Sequence, residues 1–221
     1  MRQLVCFLAL AGLACALDQP AGWAQPAPNP EGAAQLVELK RVVPDVRLEV
    51  RYATKNNFMK KVLYPQPRIF VRKEVGDSLA RVQQRLKERG LSLLVFDGYR
   101  PWRITKKMWD DTPPENHKFV ADPAKGSKHN RGGAVDLTLM DLKTGKALEM
   151  TSAYDEFSPR AAFNYPGGSK KSHENRDLLR SVMEAEGFQV LPHEWWHFDY
   201  KGWQNFPLLD YSFEELDALQ K

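Results

Sequence analysis

The chain has 221 residues, a length that fits one domain or at most a small pair. Hydrophobic residues make up 43% and charged residues 27%, which allows a buried core and excludes global disorder. The formal net charge of +4 is spread out, in runs no denser than Lys60-Lys61 or Lys170-Lys171, so no nucleic-acid partner is expected; such binders concentrate their basic residues in a stripe or module.

The chain opens in the pattern of a secretory signal peptide. MRQ is short and positive, LVCFLALAGLACAL is apolar, and small residues precede a cut expected after Ala24. Ala14-Cys15-Ala16 offers a second cut, and a lipid anchor on Cys15 is a minor alternative. The apolar run is too short to span a bilayer comfortably, and no later stretch approaches that length. No stable membrane insertion is therefore expected once residues 1–24 are removed. Cys6 and Cys15 both fall inside this leader, so the mature chain is expected to lack disulfides and thiol nucleophiles. Its stability then rests on the core, or on a metal.

Residues 25–36 are rich in Pro and Ala and read as a mobile N-terminal segment, with the folded domain expected over 37–221. VELKRVV and DVRLEVRYA alternate apolar and polar residues and predict two strands broken at Pro44. Val75, Leu79, Val82 and Leu86 recur at helical spacing between Arg72 and Glu88, and Gly90 closes that helix. LSLLVFDGY predicts a buried strand, and PWRITKKMWDD a helix with Pro101 at its first position. Residues 111–126 read as a surface loop, GAVDLTLMD as a strand, and LKTGKAL as a turn through Gly145. After an irregular stretch, a helix from about Ser172 runs through Leu178, Leu179, Val182 and Met183 to Gly187. FQVLPHEWWHFDY reads as a strand interrupted at Pro192, and Ser212 to Glu215 as a capping box opening a terminal helix. Helices and strands alternate without a βαβ rhythm, which predicts a single α+β domain, an antiparallel sheet with flanking helices.

Of the five histidines, His117, His173 and His193 have no partner at metal-ligand spacing. His129 and Asp136 lie seven positions apart in SKHNRGGAVDLTL, too far for one site along a straight strand. Gly132-Gly133 permit a turn that brings them together, though such a turn is also ordinary loop structure. Glu194 and His197 in EWWH lie three apart, on opposite faces of an ideal strand, so they share a site only if the chain kinks. Otherwise EWWH is a Trp-rich core strand with a surface Glu and a buried His. Taken together, His129, Asp136 and His197 form a set that suits zinc with a fourth position open, and Glu194 supplies a carboxylate free to act as a base.

These two motifs, with VRYATKNNF over residues 50–58 and FDGYRP over 96–101, resemble the zinc D-alanyl-D-alanine dipeptidase family (VanX-like). The four motifs run in order from about residue 37 to 205. The resemblance implies the small α+β zinc-peptidase fold shared with D,D-carboxypeptidases and the hedgehog signalling domain. It implies one Zn2+ per chain, held by His129, Asp136 and His197, with Glu194 as catalytic base. Arg100 matches the arginine that stabilises the oxyanion, Asp155 the acidic residue that receives the substrate ammonium, and Ser127 a serine lining the pocket. The segment between FDGYRP and the SKHNRGG motif, part of the cleft wall, is shorter than in the resistance-type enzymes. The function the resemblance implies is zinc-dependent hydrolysis of the D-alanyl-D-alanine dipeptide to two D-alanines, expected in the periplasm and linked to peptidoglycan metabolism. A D,D-carboxypeptidase or broader peptidoglycan peptidase is the rival on the same fold. A non-catalytic zinc-containing binding module is the rival of another class, and oligomeric state is not legible.

Overall fold

LSLLVFD forms β4 (Leu91–Asp97), and Ser92 through Asp97 are all buried, as an apolar run covered on both faces requires. In this computed structural model residues 24–220 are described; apart from Ala24, the expected leader and both its cysteines lie outside them. Next to β4 runs β5 (Ala134–Asp141), then β7 (Glu194–Tyr200) and β6 (Phe188–Leu191), each pair antiparallel. On the other side of β4 lies β2 (Arg47–Leu48), which pairs with it in parallel. The five-stranded sheet, in the order β2-β4-β5-β7-β6, is therefore mixed rather than purely antiparallel. The chain enters β4 from β2 through a long connection instead of a hairpin, so the two can align in the same direction.

Two helices cover the sheet. Helix α3 (Lys73–Lys87) buries Val75, Leu79, Val82 and Leu86 completely, the stripe expected from their spacing. Helix α5 (Lys170–Ala185) is capped by Ser169, whose hydroxyl accepts from Ser172 N, and it buries Leu179, Val182 and Met183. Both pack on the sheet and on one another. Across β5, Val135, Leu137 and Leu139 are fully buried, while the alternating positions carry Asp136 and Thr138. Helices α4 (Trp102–Asp111) and α6 (Phe213–Leu219) complete the frame, the latter opened by the reciprocal capping box of Ser212 and Glu215. Pro101 is the cap of α4 rather than its first residue.

Three further sequence expectations change. Residues 25–36 are not a mobile lead: Asn29 caps α1 (Pro30–Ala34), β1 (Leu36–Glu38) begins at Leu36, and Ala33 and Leu36 are fully buried. The domain therefore starts before residue 37. The second half of VELKRVV is a helical turn, α2 (Leu39–Val42), and β1 pairs with β3 (Phe70–Arg72) in a small separate sheet. Leu39 and Val43 are both buried, a spacing of four that a helical turn satisfies as well as strand alternation does. Finally, FQVLPHEWWHFDY is a hairpin. Pro192 and His193 form its turn, where proline's missing N–H breaks no ladder bond. No helix among the described residues is long and apolar enough to cross a membrane.

Candidate active site

The centre of the site is a row across three strands. Asp136 on β5 is paired with His197 on β7 and with Asp97 on β4. Residues directly opposite in antiparallel strands share a face, so the three side chains emerge side by side. Asp97 joins this row through a break in register between Val95 and Asp97. Without that extra residue Asp97 would oppose Val135 and point away from Asp136.

His129 reaches the row from the loop before β5. It begins a 3-10 turn, His129–Arg131, that Gly132 ends in the left-handed region at φ 67°. Gly133 is needed for a different reason: a Cβ there would lie 2.9 Å from Trp203 Cβ. Behind the loop, fully buried Arg72 donates through Nε to Arg131 O at 2.7 Å and through its backbone N to Gly132 O at 3.0 Å. Burial lowers the Arg72 pKa to about 10. Asn130 ties the loop to the FDGYRP segment by donating to Arg100 O at 2.9 Å and Thr105 Oγ1 at 2.8 Å. The expected return of His129 over the strand start is thus what the chain does.

His129 Nε2 lies 3.1 Å from His197 Nδ1 and 3.4 Å from Asp136 Oδ1. His197 Nδ1 lies 3.0 Å from that same oxygen. One nitrogen or oxygen from each residue falls within 4.8 Å of the others, and all three side chains are buried, an arrangement that can hold a metal ion. Each also has a partner on its far side. His129 Nδ1 donates to Gly98 O at 2.7 Å, and Tyr154 Oη donates to Asp136 Oδ2 at 3.0 Å. His197 Nε2 donates to Asp199 Oδ1 at 2.8 Å. Burial alone would raise the Asp136 pKa, but the two imidazoles hold it far below the usual carboxylate range. Burial likewise disfavours a charged His197, yet its bonds to Asp136 and Asp199 carry its pKa up to about 10.

Glu194 Oε2 lies 3.9 Å from His197 Nδ1, so the two do share a site. The kink expected at Pro192 is instead a register irregularity within the hairpin, between Val190 and Leu191, where Leu191 pairs with Glu194. Burial pushes the Glu194 carboxyl above its ordinary pKa, partly countered by His197.

Arg100 is buried with its Nε and Nη2 on Asp97 Oδ2, at 3.0 and 2.7 Å. Its Nη2 is 4.0 Å from Asp136 Oδ2, and its guanidinium sits 5.2 Å from the Tyr52 ring centroid. Burial opposes its charge, but Asp97 overrides this and keeps the group cationic. Asp97 is anchored in turn by Tyr64 Oη at 2.8 Å and Gly98 N at 2.9 Å.

Asp155 has a positive φ of 61°, a conformation costly for a residue with a Cβ. Its Oδ1 accepts from Tyr52 Oη at 3.2 Å, while its buried Oδ2 has no hydrogen-bond partner among the described residues. Burial, reinforced by the charge of Asp136, pushes this carboxyl well above its usual pKa. Ser127 Oγ accepts from His129 N at 3.2 Å.

All seven expected residues, His129, Asp136, His197, Glu194, Arg100, Asp155 and Ser127, line one cleft of about 260 Å³. Its outer wall includes Lys118, Phe119 and Val120, from the shortened segment. Asp97, Tyr154 and Asp199 escaped the sequence reading. Asp199 had a signal, since strand residues two apart share a face and it follows His197 by two. Nothing local marked Tyr154.

A buried pair of imidazoles and a carboxylate, with an acid and a locked cation converging on them in a cleft, defines a metal-dependent hydrolase. The peptidase M15 family, described as D-Ala-D-Ala dipeptidase, matches residues 32–215, and this chain belongs to it. The chain is 34% identical over 179 residues to the D-alanyl-D-alanine dipeptidase of Escherichia coli (strain K12), covering 81% of this chain and 91% of that one. It is also 34% identical over 181 residues to the D-alanyl-D-alanine dipeptidase of Enterococcus faecium, covering 72% and 88%. A looser likeness in shape is to the LD-carboxypeptidase LdcB, at 20% identity, 85% and 78% coverage and a TM-score of 0.46.

Proposed function

We propose that this chain hydrolyses the free dipeptide D-alanyl-D-alanine to two D-alanines, using one zinc ion held by His129 Nε2, Asp136 Oδ1 and His197 Nδ1. The observation that carries the choice of a free dipeptide is Asp155. Its buried, unpartnered Oδ2 lies in the same cleft as the ligand cluster, where a substrate ammonium would satisfy it. A longer peptide would not present that charge there.

Two nitrogens and one carboxylate oxygen, with no cysteine among the described residues, suit zinc with a position left for water or substrate. Zinc bound there would supply a Lewis acid for the scissile carbonyl and would lower the pKa of a bound water from about 15.7 to about 7. Glu194 takes a proton from the attacking water and returns it to the leaving amine as the C–N bond breaks. Arg100, locked on Asp97, offers a preplaced positive charge to the carbonyl oxygen as negative charge develops there. Ser127 lines the pocket beside the His129 backbone.

Export to the periplasm belongs to this reading and rests on the composition of residues 1–24. There the dipeptide links the enzyme to peptidoglycan metabolism. The test is a panel of dipeptides of varied stereochemistry, with a muramyl pentapeptide alongside. Cleavage of D-Ala-D-Ala, lost on chelation and restored by Zn2+, is the expected result. Faster cleavage of the pentapeptide would turn the assignment to a D,D-carboxypeptidase.

A further inference from the structure

His197 has two ring nitrogens, and a neutral imidazole offers a lone pair on only one of them. The nitrogen that faces Asp136 and His129 is Nδ1, so the proton must be kept on Nε2. The group at Nε2 is Asp199, whose Oδ1 lies 2.8 Å away. Its second oxygen, Oδ2, is taken by Lys128 Nζ at 2.9 Å. Lys128 immediately precedes His129 and lies 5.5 Å from the Trp203 ring centroid. One carboxylate therefore connects the two histidine-bearing segments on the side away from the cluster.

An aspartate within β7, paired with Ala134 on one side and Gln189 on the other, is not explained by strand propensity. Its side chain is only 14% exposed, and no backbone N–H among the described residues donates to it. Both its oxygens are spent on His197 and Lys128.

We infer that Asp199, held by Lys128, is the positioning residue that fixes the His197 ring and its Nε2 proton so that Nδ1 is presented to the metal. It acts through His197 and does not touch substrate. Without it the ring is free to turn about its Cβ–Cγ bond, which would carry Nδ1 away from Asp136 and His129. Lys128 contributes by holding Asp199 in place, and by tying the His129 loop to β7. Partners of this kind affect metal affinity by about 10–100-fold.

The inference rests on the zinc reading above. The experiment measures the zinc dissociation constant of the full chain by competition with a chromophoric chelator, and then the absorption spectrum of the Co2+-loaded protein. Asp199→Ala is expected to weaken zinc binding by about 10–100-fold and to change the Co2+ spectrum. Asp199→Asn, which leaves one acceptor oxygen for the two donors His197 Nε2 and Lys128 Nζ, is also expected to weaken zinc binding, by about 10-fold or more. A purely structural aspartate would lower the thermal midpoint of the metal-free protein and leave the Co2+ spectrum unchanged. Zinc affinity within twofold of the parent in either variant overturns the inference. Failure of the unaltered protein to bind zinc refutes the zinc reading itself.

Discussion

Tyr154 Oη donates to Asp136 Oδ2 at 3.0 Å, and this bond decides which oxygen of Asp136 faces the two imidazoles. Tyr154 is held for the task by its ring, stacked on Phe96 with centroids 4.4 Å apart. Tyr154→Phe keeps the stacking and removes only the hydroxyl. It should weaken zinc binding by about 10-fold and cost about 1–3 kcal/mol of stability, because Oδ2 is left buried with one bond fewer. Metal titration and urea unfolding read the two effects separately.

Glu194 lies beside the ligand cluster without belonging to it, 3.9 Å from His197 Nδ1. Glu194→Gln should keep full zinc content and lower kcat by about 10²–10⁴-fold. Zinc content by atomic absorption and steady-state kinetics on D-Ala-D-Ala decide the matter. A variant that stays active would remove Glu194 from the base role.

Arg100 and Asp97 form a buried pair in which each side chain needs the other. Arg100→Met should lower kcat by about 10²–10³-fold through loss of the preplaced cation. It should also destabilise the protein by about 3–5 kcal/mol, since Asp97 is left as an uncompensated buried charge. The double variant Arg100→Met, Asp97→Asn is expected to recover much of the stability and none of the turnover. That split, read by thermal melts and kinetics, separates the charge at the carbonyl from the charge in the core.

The three glycines of the turns allow a graded test. Gly133→Ala places a Cβ 2.9 Å from Trp203 Cβ, and Gly132→Ala combines φ 67° with Leu36 Cδ2 at 2.5 Å. Both should shift His129 and reduce zinc binding. Gly145 has a similar φ of 68° but nothing within 4 Å of an added Cβ. Gly145→Ala should therefore cost about 1 kcal/mol of conformational strain and leave zinc affinity unchanged.

Glu186 links α5 to α3 through Arg81 at 2.6 Å and Arg85 at 2.7 Å, and the Arg81 bond foremost lowers its pKa. A carboxyl with a depressed folded pKa contributes stability that is fully present above its unfolded value, about 4.3. That contribution is lost as the pH falls through the lower folded value. Glu186→Gln should cost about 1 kcal/mol at pH 7, since both arginines are largely solvated. The gap between variant and parent in urea midpoint should narrow steadily below pH 4.

The elements that the sequence marked well are those whose signal is local. The stripe on α3, the apolar run of β4, the alternation of β5 and the capping box of α6 each reflect a period or a cap within a few residues. Where two local solutions fit one pattern, the reading failed. Leu39 and Val43 satisfy a strand or a helical turn, and only the tertiary setting, with Leu39 N donating to Ile69 O and α2 set against α3 and β1, selects the turn. The Pro- and Ala-rich lead looked unfit for structure, yet Ala33 and Leu36 find a fully buried place against the domain.

For the site the division runs along the same line. Chain chemistry by itself determined which residue types could gather: two histidines and an aspartate near a glycine turn, a glutamate three residues from one of the histidines, and an arginine after a buried strand. Tertiary structure alone decided that they meet. The register break after Val95 turns Asp97 toward Asp136, and the irregular β6-β7 hairpin lets Glu194 reach His197. Tyr154 and Asp199 then orient Asp136 and His197. Register and long-range hydrogen bonds are set by how both faces of the sheet are buried, a property of the whole domain that no short stretch of chain contains.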